Sequence, residues 1–176
     1  GPMVTQALEQ LLTDTNWKAG DYLIIDLPPG TGDVQLTLCQ KIPVSGAIIV
    51  TTPQDISLID ARKGLKMFEK VEVPVLGIVE NMSTHVCKKC GHIESIFGEG
   101  GGEQLASEAG VKLLGELPLE KQIREEMDKG TPTVSSNPMD PASLAYRDIA
   151  RKMTATLSMR KKDYSSAFPK IVIQND

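Results

Sequence analysis

The most informative local pattern in the chain is a pair of cysteines within a run of polar residues. Cys87 and Cys90 are separated by two lysines and followed by Gly91, in the arrangement Cys-x-x-Cys-Gly. Two thiolates at this spacing converge on one metal ion, the glycine relaxes the turn, and neighbouring lysines favour the thiolate form. A tetrahedral metal site needs four ligands, so the motif supplies half of one.

The remaining ligands have three candidate sources. His85 and His92 would complete a local Cys₂His₂ zinc site, although four ligands within eight residues would be crowded. The cysteines could instead form a redox dithiol, although they do not open a helix as thioredoxin-like motifs do. A second copy of the chain could supply two more cysteines across a two-fold axis. We favour the shared site and expect each histidine to be a loop residue rather than a ligand. The third cysteine, Cys39, lies among apolar helical residues and is expected to be a small core residue.

A second candidate site follows a run of β-forming residues. Residues 21–27 are apolar on both faces, which is typical of a covered parallel strand, and the run ends at Asp26 and a Pro-Pro-Gly-Thr-Gly-Asp turn. A carboxylate at such a strand end can hold hydrated Mg²⁺, and the amide of Gly30 can approach a phosphate. The chain contains no Gly-Lys dipeptide, so the P-loop that would complete a nucleotide site is missing. Residues 98–103 are rich in glycine but carry two glutamates and no lysine, and are interpreted as a flexible loop leading into a helix.

Alternating strands and helices must position these residues. Apolar runs typical of strands occur at 21–27, 47–50, 75–79 and 113–117, and helical patterns lie around them at about 33–40, 55–70, 103–109 and 120–129. The longest helix is predicted from the Asp140-Pro141 cap to the basic cluster at 160–162. This order predicts an α/β fold with a parallel sheet of about four strands and helices on both faces.

The composition excludes several classes of protein. The 176 residues are 40% hydrophobic and 24% charged, which fits one globular domain. Nineteen basic against 23 acidic residues give a net charge of −4, which argues against a non-specific nucleic-acid binder. Three cysteines cannot form a disulfide framework, and no apolar run approaches the length of a membrane span. We therefore expect a cytoplasmic protein that binds neither nucleic acid nor membrane.

Several motifs in order resemble the Mrp/ApbC family of P-loop ATPases, which are related to MinD and carry iron–sulfur clusters. The resemblance runs over essentially the full chain and rests on the Cys87/Cys90 pair and on Asp-Leu-Pro-Pro-Gly-Thr-Gly-Asp at 26–33, Val-Thr-Thr-Pro-Gln-Asp at 50–55, Val-Glu-Asn-Met-Ser at 79–83 and Phe-Pro-Lys-Ile-Val-Ile at 168–173.

The resemblance implies a role for each matching residue. Asp26 would be the Walker B carboxylate that orders Mg²⁺ through water, and the Gly30 amide would meet the γ-phosphate of ATP. Asn81 would recognise the adenine, and the backbone of Pro118 and Leu119 would border the base.

The cysteines also receive a role from the resemblance. Cys87 and Cys90 would bind a [4Fe-4S] cluster shared by a homodimer, with Zn²⁺ as a substitute at the same pair. The implied function is an ATP-hydrolysing carrier that takes a cluster from a donor and passes it to recipient apoproteins. Two alternatives stay open, a zinc-knuckle binding module without catalysis and a MinD/ParA-like positioning ATPase. The second is disfavoured because residues 168–176 are too short and too irregular for a membrane-targeting helix.

The sequence departs from the family pattern at its beginning. In the family a strand and the Walker A P-loop precede the region matched here. We therefore expect the C-terminal part of a longer protein, with residues 1–163 forming a partial MinD-like nucleotide-binding domain and 164–176 a tail. We also expect this chain alone to lack ATPase activity. In the family the P-loop strand lies between the strand that ends at Asp26 and the strand that starts near Ala47. Without that strand the sheet would have a gap between its neighbours. We expect the chain to close this gap by local rearrangement, to borrow a strand from a partner, or to fold imperfectly.

Overall fold

The computed structural model describes residues 2–18, 20–27 and 32–160. The elements in chain order are α1 (Pro2–Thr13), α2 (Asp33–Lys41), β1 (Ala47–Thr51), α3 (Asp55–Lys70), β2 (Val75–Glu80), β3 (His85–Val86), β4 (Ile93–Glu94), α4 (Gly101–Ala109), β5 (Leu113–Glu116), α5 (Lys121–Asp128), α6 (Thr133–Ser136) and α7 (Pro141–Ser158). The predicted tail at 164–176 lies outside the described residues.

The main sheet is parallel, as the alternation of strands and helices predicted. Its strand order is β1-β2-β5, so β2 is central. Ile49 lies opposite Ile78 in the first pair, and Val79 lies opposite Gly115 in the second. Because all three strands run the same way, their carboxyl ends meet at one edge of the sheet, and that edge is the expected place for a ligand site.

Helices cover both faces of the sheet, as predicted. The neighbouring residues Ile78 and Val79 of β2 belong to different hydrophobic clusters, because successive strand side chains point to opposite faces. Ile78 packs with side chains of α2, α3 and α4, and Val79 packs with Ile149 of α7. Cys39 lies in the first cluster at 7% exposure, and burial raises the pKa of its thiol. The prediction that Cys39 is a core residue is thereby confirmed.

The prediction of a strand at 21–27 is wrong. Residues 22–27 have no regular secondary structure, and the side chains of Tyr22, Leu23 and Ile24 are 57%, 50% and 73% exposed. Leu27 still packs against the first cluster. A strand needs a hydrogen-bonded neighbour, and within the described residues β1 is paired on one side only, by β2. The described part of the main sheet therefore has three strands rather than four.

Helix boundaries follow local chemistry closely. The α7 helix starts where predicted, and the Asp140 carboxylate accepts a hydrogen bond of 2.9 Å from the Ala142 backbone N–H. It ends at Ser158, before the predicted basic end, of which residues 161 and 162 lie outside the described residues. At α2 the capping residue is Gly32, and Asp33 is the first residue of the helix. No helix in the described part of the chain is long and apolar enough to cross a membrane.

Candidate functional site

The two cysteines lie on a small antiparallel hairpin made by β3 and β4. Val86 pairs with Ile93 at the end of the hairpin, and the turn between them carries both thiols. The Cys87 N–H donates to the His92 carbonyl at 2.9 Å, and the Gly91 N–H donates to the Cys87 carbonyl at 2.8 Å. Gly91 has a φ of +72°, a left-handed conformation that glycine adopts without strain. The glycine of the Cys-x-x-Cys-Gly motif therefore allows the turn to fold back on Cys87.

The turn lowers the pKa of one of the two thiols. The backbone N–H groups of Lys89 and Cys90 donate toward the Cys87 sulfur and lower the pKa of its thiol, with smaller contributions from the Cys90 thiol and, when its ring is protonated, from His85. Cys87 is half-buried and Cys90 is exposed, so both sulfurs are within reach of a ligand. Two solvent-accessible thiols on one turn are a ligand pair that suits zinc or an iron–sulfur cluster.

The described residues do not complete a metal site within one chain. No group of three or more His, Cys, Asp or Glu side chains in that part of the chain could hold a metal ion. The local Cys₂His₂ alternative is therefore not formed among these residues. His85 lies in β3 rather than in the loop that we expected, and its Nδ1 lies 3.0 Å from the Leu119 carbonyl oxygen.

Three of the predicted nucleotide-site residues follow the ends of two neighbouring strands. Asn81 follows β2, and Pro118 and Leu119 follow β5, the neighbouring strand. The Asn81 N–H donates to the Thr51 carbonyl at 2.7 Å, and its Oδ1 accepts a bond of 3.0 Å from the Met82 N–H. All three side chains are partly exposed at the carboxyl edge of the sheet. Their contact with an adenine base stays a prediction.

The other two nucleotide-site residues are not brought to that edge by a strand. Asp26 is exposed in the irregular segment that precedes α2, and Gly30 lies outside the described residues. The Mg²⁺ and phosphate roles of Asp26 and Gly30 therefore also stay predictions.

The sequence reasoning missed a buried carboxylate at the end of β2. Glu80 is 1% exposed, and its Oε2 accepts a hydrogen bond of 2.6 Å from the Gly102 N–H in the first turn of α4. Burial raises the pKa of Glu80, the bond from Gly102 opposes that shift, and the nearby charges of Glu116 and Glu103 add to it. A single charged residue at the end of an otherwise apolar strand was the available signal.

Glu80 also explains the glycine-rich segment that the sequence analysis interpreted as a flexible loop. Two of its glycines, Gly101 and Gly102, are buried in the first turn of α4. A Cβ at Gly102 would lie 2.9 Å from the Glu80 Cβ, and one at Gly101 would lie 3.0 Å from the Pro53 backbone. These glycines therefore permit close packing of the helix start, which corrects the loop interpretation.

Proteins of known function are similar to most of this chain. It is 60% identical over 157 residues to the iron–sulfur cluster carrier protein of Escherichia coli K12, which covers 89% of this chain and 42% of that protein. It is 59% identical over 150 residues to the carrier protein of Pseudomonas fragi, covering 85% and 52%. It is 51% identical over 157 residues to the iron–sulfur cluster transfer protein NUBPL of Mus musculus, covering 89% and 49%. The chain thus spans about half the length of these relatives.

Solved structures agree on the fold. A nucleotide-binding protein from Archaeoglobus fulgidus in complex with ADP matches with a TM-score of 0.69 and 34% identity, over 82% of this chain and 58% of that one. The cell-division ATPase MinD of Pyrococcus furiosus matches with a TM-score of 0.61 over 87% and 57%, and its 22% identity supports the fold alone. A family model described as ParA, NUBPL iron-transfer P-loop NTPase matches residues 1–154. The chain therefore belongs to the ParA family of NUBPL-type iron-transfer P-loop NTPases.

Proposed function

We propose that this chain carries an iron–sulfur cluster on Cys87 and Cys90, and that two copies of the chain hold one [4Fe-4S] cluster between them. The observation that carries the proposal is the hairpin itself, which presents two solvent-accessible thiols, one with a lowered pKa, and no third ligand among the described residues. A [4Fe-4S] cluster takes four thiolates, and an isologous dimer presents the same pair twice. The cluster is cargo, received from a donor and passed to recipient apoproteins.

The surroundings of the thiols support a contact with a second copy. The cross-strand neighbours Val86 and Ile93 are 40% and 62% exposed on the hairpin, and such apolar side chains gain from being covered. Lys88 and Lys89 are exposed in the turn, where their charges offset those of the thiolates and of the cluster. A second copy meeting the hairpin would cover this apolar pair beside the shared cluster.

The same proposal includes ATP, which the longer protein would bind and hydrolyse. Asn81, Pro118 and Leu119 would surround the base, while Asp26 and Gly30 would serve Mg²⁺ and the γ-phosphate. This chain contains no Gly-Lys dipeptide and so lacks the P-loop lysine, and we expect it not to hydrolyse ATP alone. We further propose that the protein works in the cytoplasm.

Anaerobic reconstitution with iron and sulfide tests the cluster proposal. We expect a brown dimer with about four iron atoms per two chains. Both iron and colour should be lost in Cys87→Ser and Cys90→Ser, and Cys39→Ala is the matched control because that thiol is buried in the core. Iron content that is unchanged in both hairpin variants would contradict the proposal.

The same metal analysis separates the alternative of a zinc knuckle. Stoichiometric zinc that resists exchange for iron and sulfide, in a chain that stays monomeric, would favour a binding module over a carrier. Oligomer mass before and after reconstitution therefore accompanies the metal measurement.

A further inference from the structure

We propose that His85 is a positioning residue for the metal-binding hairpin, which it holds against the body of the protein through a hydrogen bond from Nδ1–H to the Leu119 carbonyl. The inference rests on the proposed function, because it assigns a supporting residue to the Cys87/Cys90 pair. It assigns His85 no role as a ligand.

The geometry fixes which ring nitrogen acts. The Nδ1 of His85 lies 3.0 Å from the Leu119 carbonyl oxygen, and a carbonyl oxygen can only accept a hydrogen bond. Nδ1 must therefore carry the proton, which leaves Nε2 with its lone pair in the neutral ring. The Leu119 N–H in turn donates to the Thr84 carbonyl at 2.8 Å. Leu119 is thus bound at both its N–H and its carbonyl by consecutive residues at the start of the hairpin.

This contact is the outermost side-chain connection of the hairpin to the body. Before it, the N–H and the hydroxyl of Ser83 both donate to the Leu117 carbonyl, at 3.0 and 3.2 Å. Beyond it, the described residues 86–94 place no side-chain hydrogen bond on the body, and the Cys87–His92 backbone bond lies within the turn. Without the His85 bond, the backbone bond at Thr84 would be the outermost one to the body, and the two-residue strands could tilt about Thr84. The direction in which both thiols point would change with them.

The His85 bond also joins the two candidate sites. Leu119 is one of the residues proposed to border the base, and His85 lies two residues before the first cysteine. A displacement of the base segment would therefore be passed to the hairpin through the bonds of Leu119 to Thr84 and His85. Groups that hydrogen-bond a metal ligand directly typically change metal affinity by about 10- to 100-fold when they are removed, and His85, which acts through the backbone of the hairpin, should fall at the lower end of that range.

Cobalt(II) alone is a suitable probe, because thiolate-to-cobalt absorption reports binding at the cysteine pair without any activity assay. The dissociation constant is measured for the wild type and for His85→Ala, His85→Asn and His85→Gln. The asparagine amide nitrogen occupies the place of Nδ1, whereas the glutamine amide nitrogen occupies the place of Nε2. His92→Ala is the matched control, since His92 is exposed on the other side of the turn.

We expect His85→Ala and His85→Gln to bind cobalt about tenfold more weakly. His85→Asn and His92→Ala should stay within about threefold of the wild type, below the range for lost supporting partners. Nitrogen NMR of the apoprotein should report the Nδ1–H tautomer of His85. If circular dichroism shows that His85→Ala does not fold, the cobalt affinities of the asparagine and glutamine variants alone test the positioning role.

Two results would overturn the inference. Equal affinity in all variants would remove the positioning role, and cobalt binding that depends on Cys87 in the wild type would still support the proposed function. If His85→Gln kept the cobalt affinity of the wild type and His85→Asn lost it, the ring would act through Nε2, as a ligand does. If Cys87→Ser binds cobalt as the wild type does, the proposed function itself fails, and the role of His85 fails with it.

Discussion

Replacing Gly91 with alanine tests whether the turn conformation is required for metal binding. Gly91 has a φ of +72°, and a Cβ built on it meets no atom within 4 Å. The substitution therefore introduces no collision, and its whole cost is the left-handed backbone, about 1–2 kcal/mol for a residue with a side chain. Asparagine tolerates this conformation better than alanine, so Gly91→Asn should lose less.

The loss can appear in either of two measurements. If the metal-free turn keeps its shape, the strain lowers the free energy of unfolding, and cobalt affinity does not change. If the metal-free turn relaxes, stability is retained, and metal binding must restore the strained shape. The affinity would then fall by about 5- to 30-fold, the equivalent of 1–2 kcal/mol. The two losses should therefore sum to about 1–2 kcal/mol for Gly91→Ala.

Cobalt titration measures the loss of affinity, and urea unfolding of the same samples measures the loss of stability. Gly130→Ala is the matched control, because Gly130 has a φ of +70° and equally open surroundings. Gly130 lies after α5, away in sequence from the turn that carries Cys87 and Cys90. It should lower stability by a similar amount without any change in cobalt affinity. The reasoning would be refuted if Gly91→Ala lost neither affinity nor stability.

Three further predictions concern stability and are checked by urea unfolding. Gly77→Ala should destabilise the protein by about 1–3 kcal/mol, since the new Cβ would lie 2.6 Å from the Leu114 Cγ. Gly64 lies inside α3, and a Cβ there would meet its nearest atom, the Ile49 Cδ1, at 3.5 Å, so Gly64→Ala should instead stabilise the protein by up to about 1 kcal/mol. Equal effects of these two alanines would contradict the packing of the sheet. Because burial raises the pKa of Glu80 in the folded state, the free energy of unfolding should fall as the pH rises from the ordinary glutamate pKa through the raised one. Glu80→Gln should flatten this dependence of the unfolding free energy on pH. An unchanged dependence in the variant would show that Glu80 does not cause it. Asp140→Ala removes the side-chain cap of α7 and should cost about 1 kcal/mol, and a neutral result would mean that water replaces the cap.

The elements that could be predicted from the sequence are those whose stability is local or lies in the buried sheet. The strands β1 and β2 are continuous apolar runs, and α7 carries its own cap and first-turn proline. The segment at 21–27 is also rich in apolar, β-forming residues but does not form a strand. A strand requires a neighbour as well as a sequence, and the neighbour is a property of the whole sheet.

The candidate site was predictable to the extent that its residues form a compact motif. The Cys-x-x-Cys-Gly spacing predicted a turn that glycine relaxes, and the left-handed conformation of Gly91 confirms the turn, while metal binding there stays a prediction. The bonds from His85 to Leu119 and from Gly102 to Glu80 span 34 and 22 residues. No short pattern announces such pairs, because they depend on which strand ends lie side by side.

The central position of β2 has a consequence for how the protein unfolds. Its consecutive residues Ile78 and Val79 belong to the two separate hydrophobic clusters, one on each face of the sheet. Neither cluster can lose its packing against β2 while that strand stays in place, and displacing the strand disrupts both at once. The two layers should therefore melt as one cooperative unit, with the most slowly exchanging amide protons along β2.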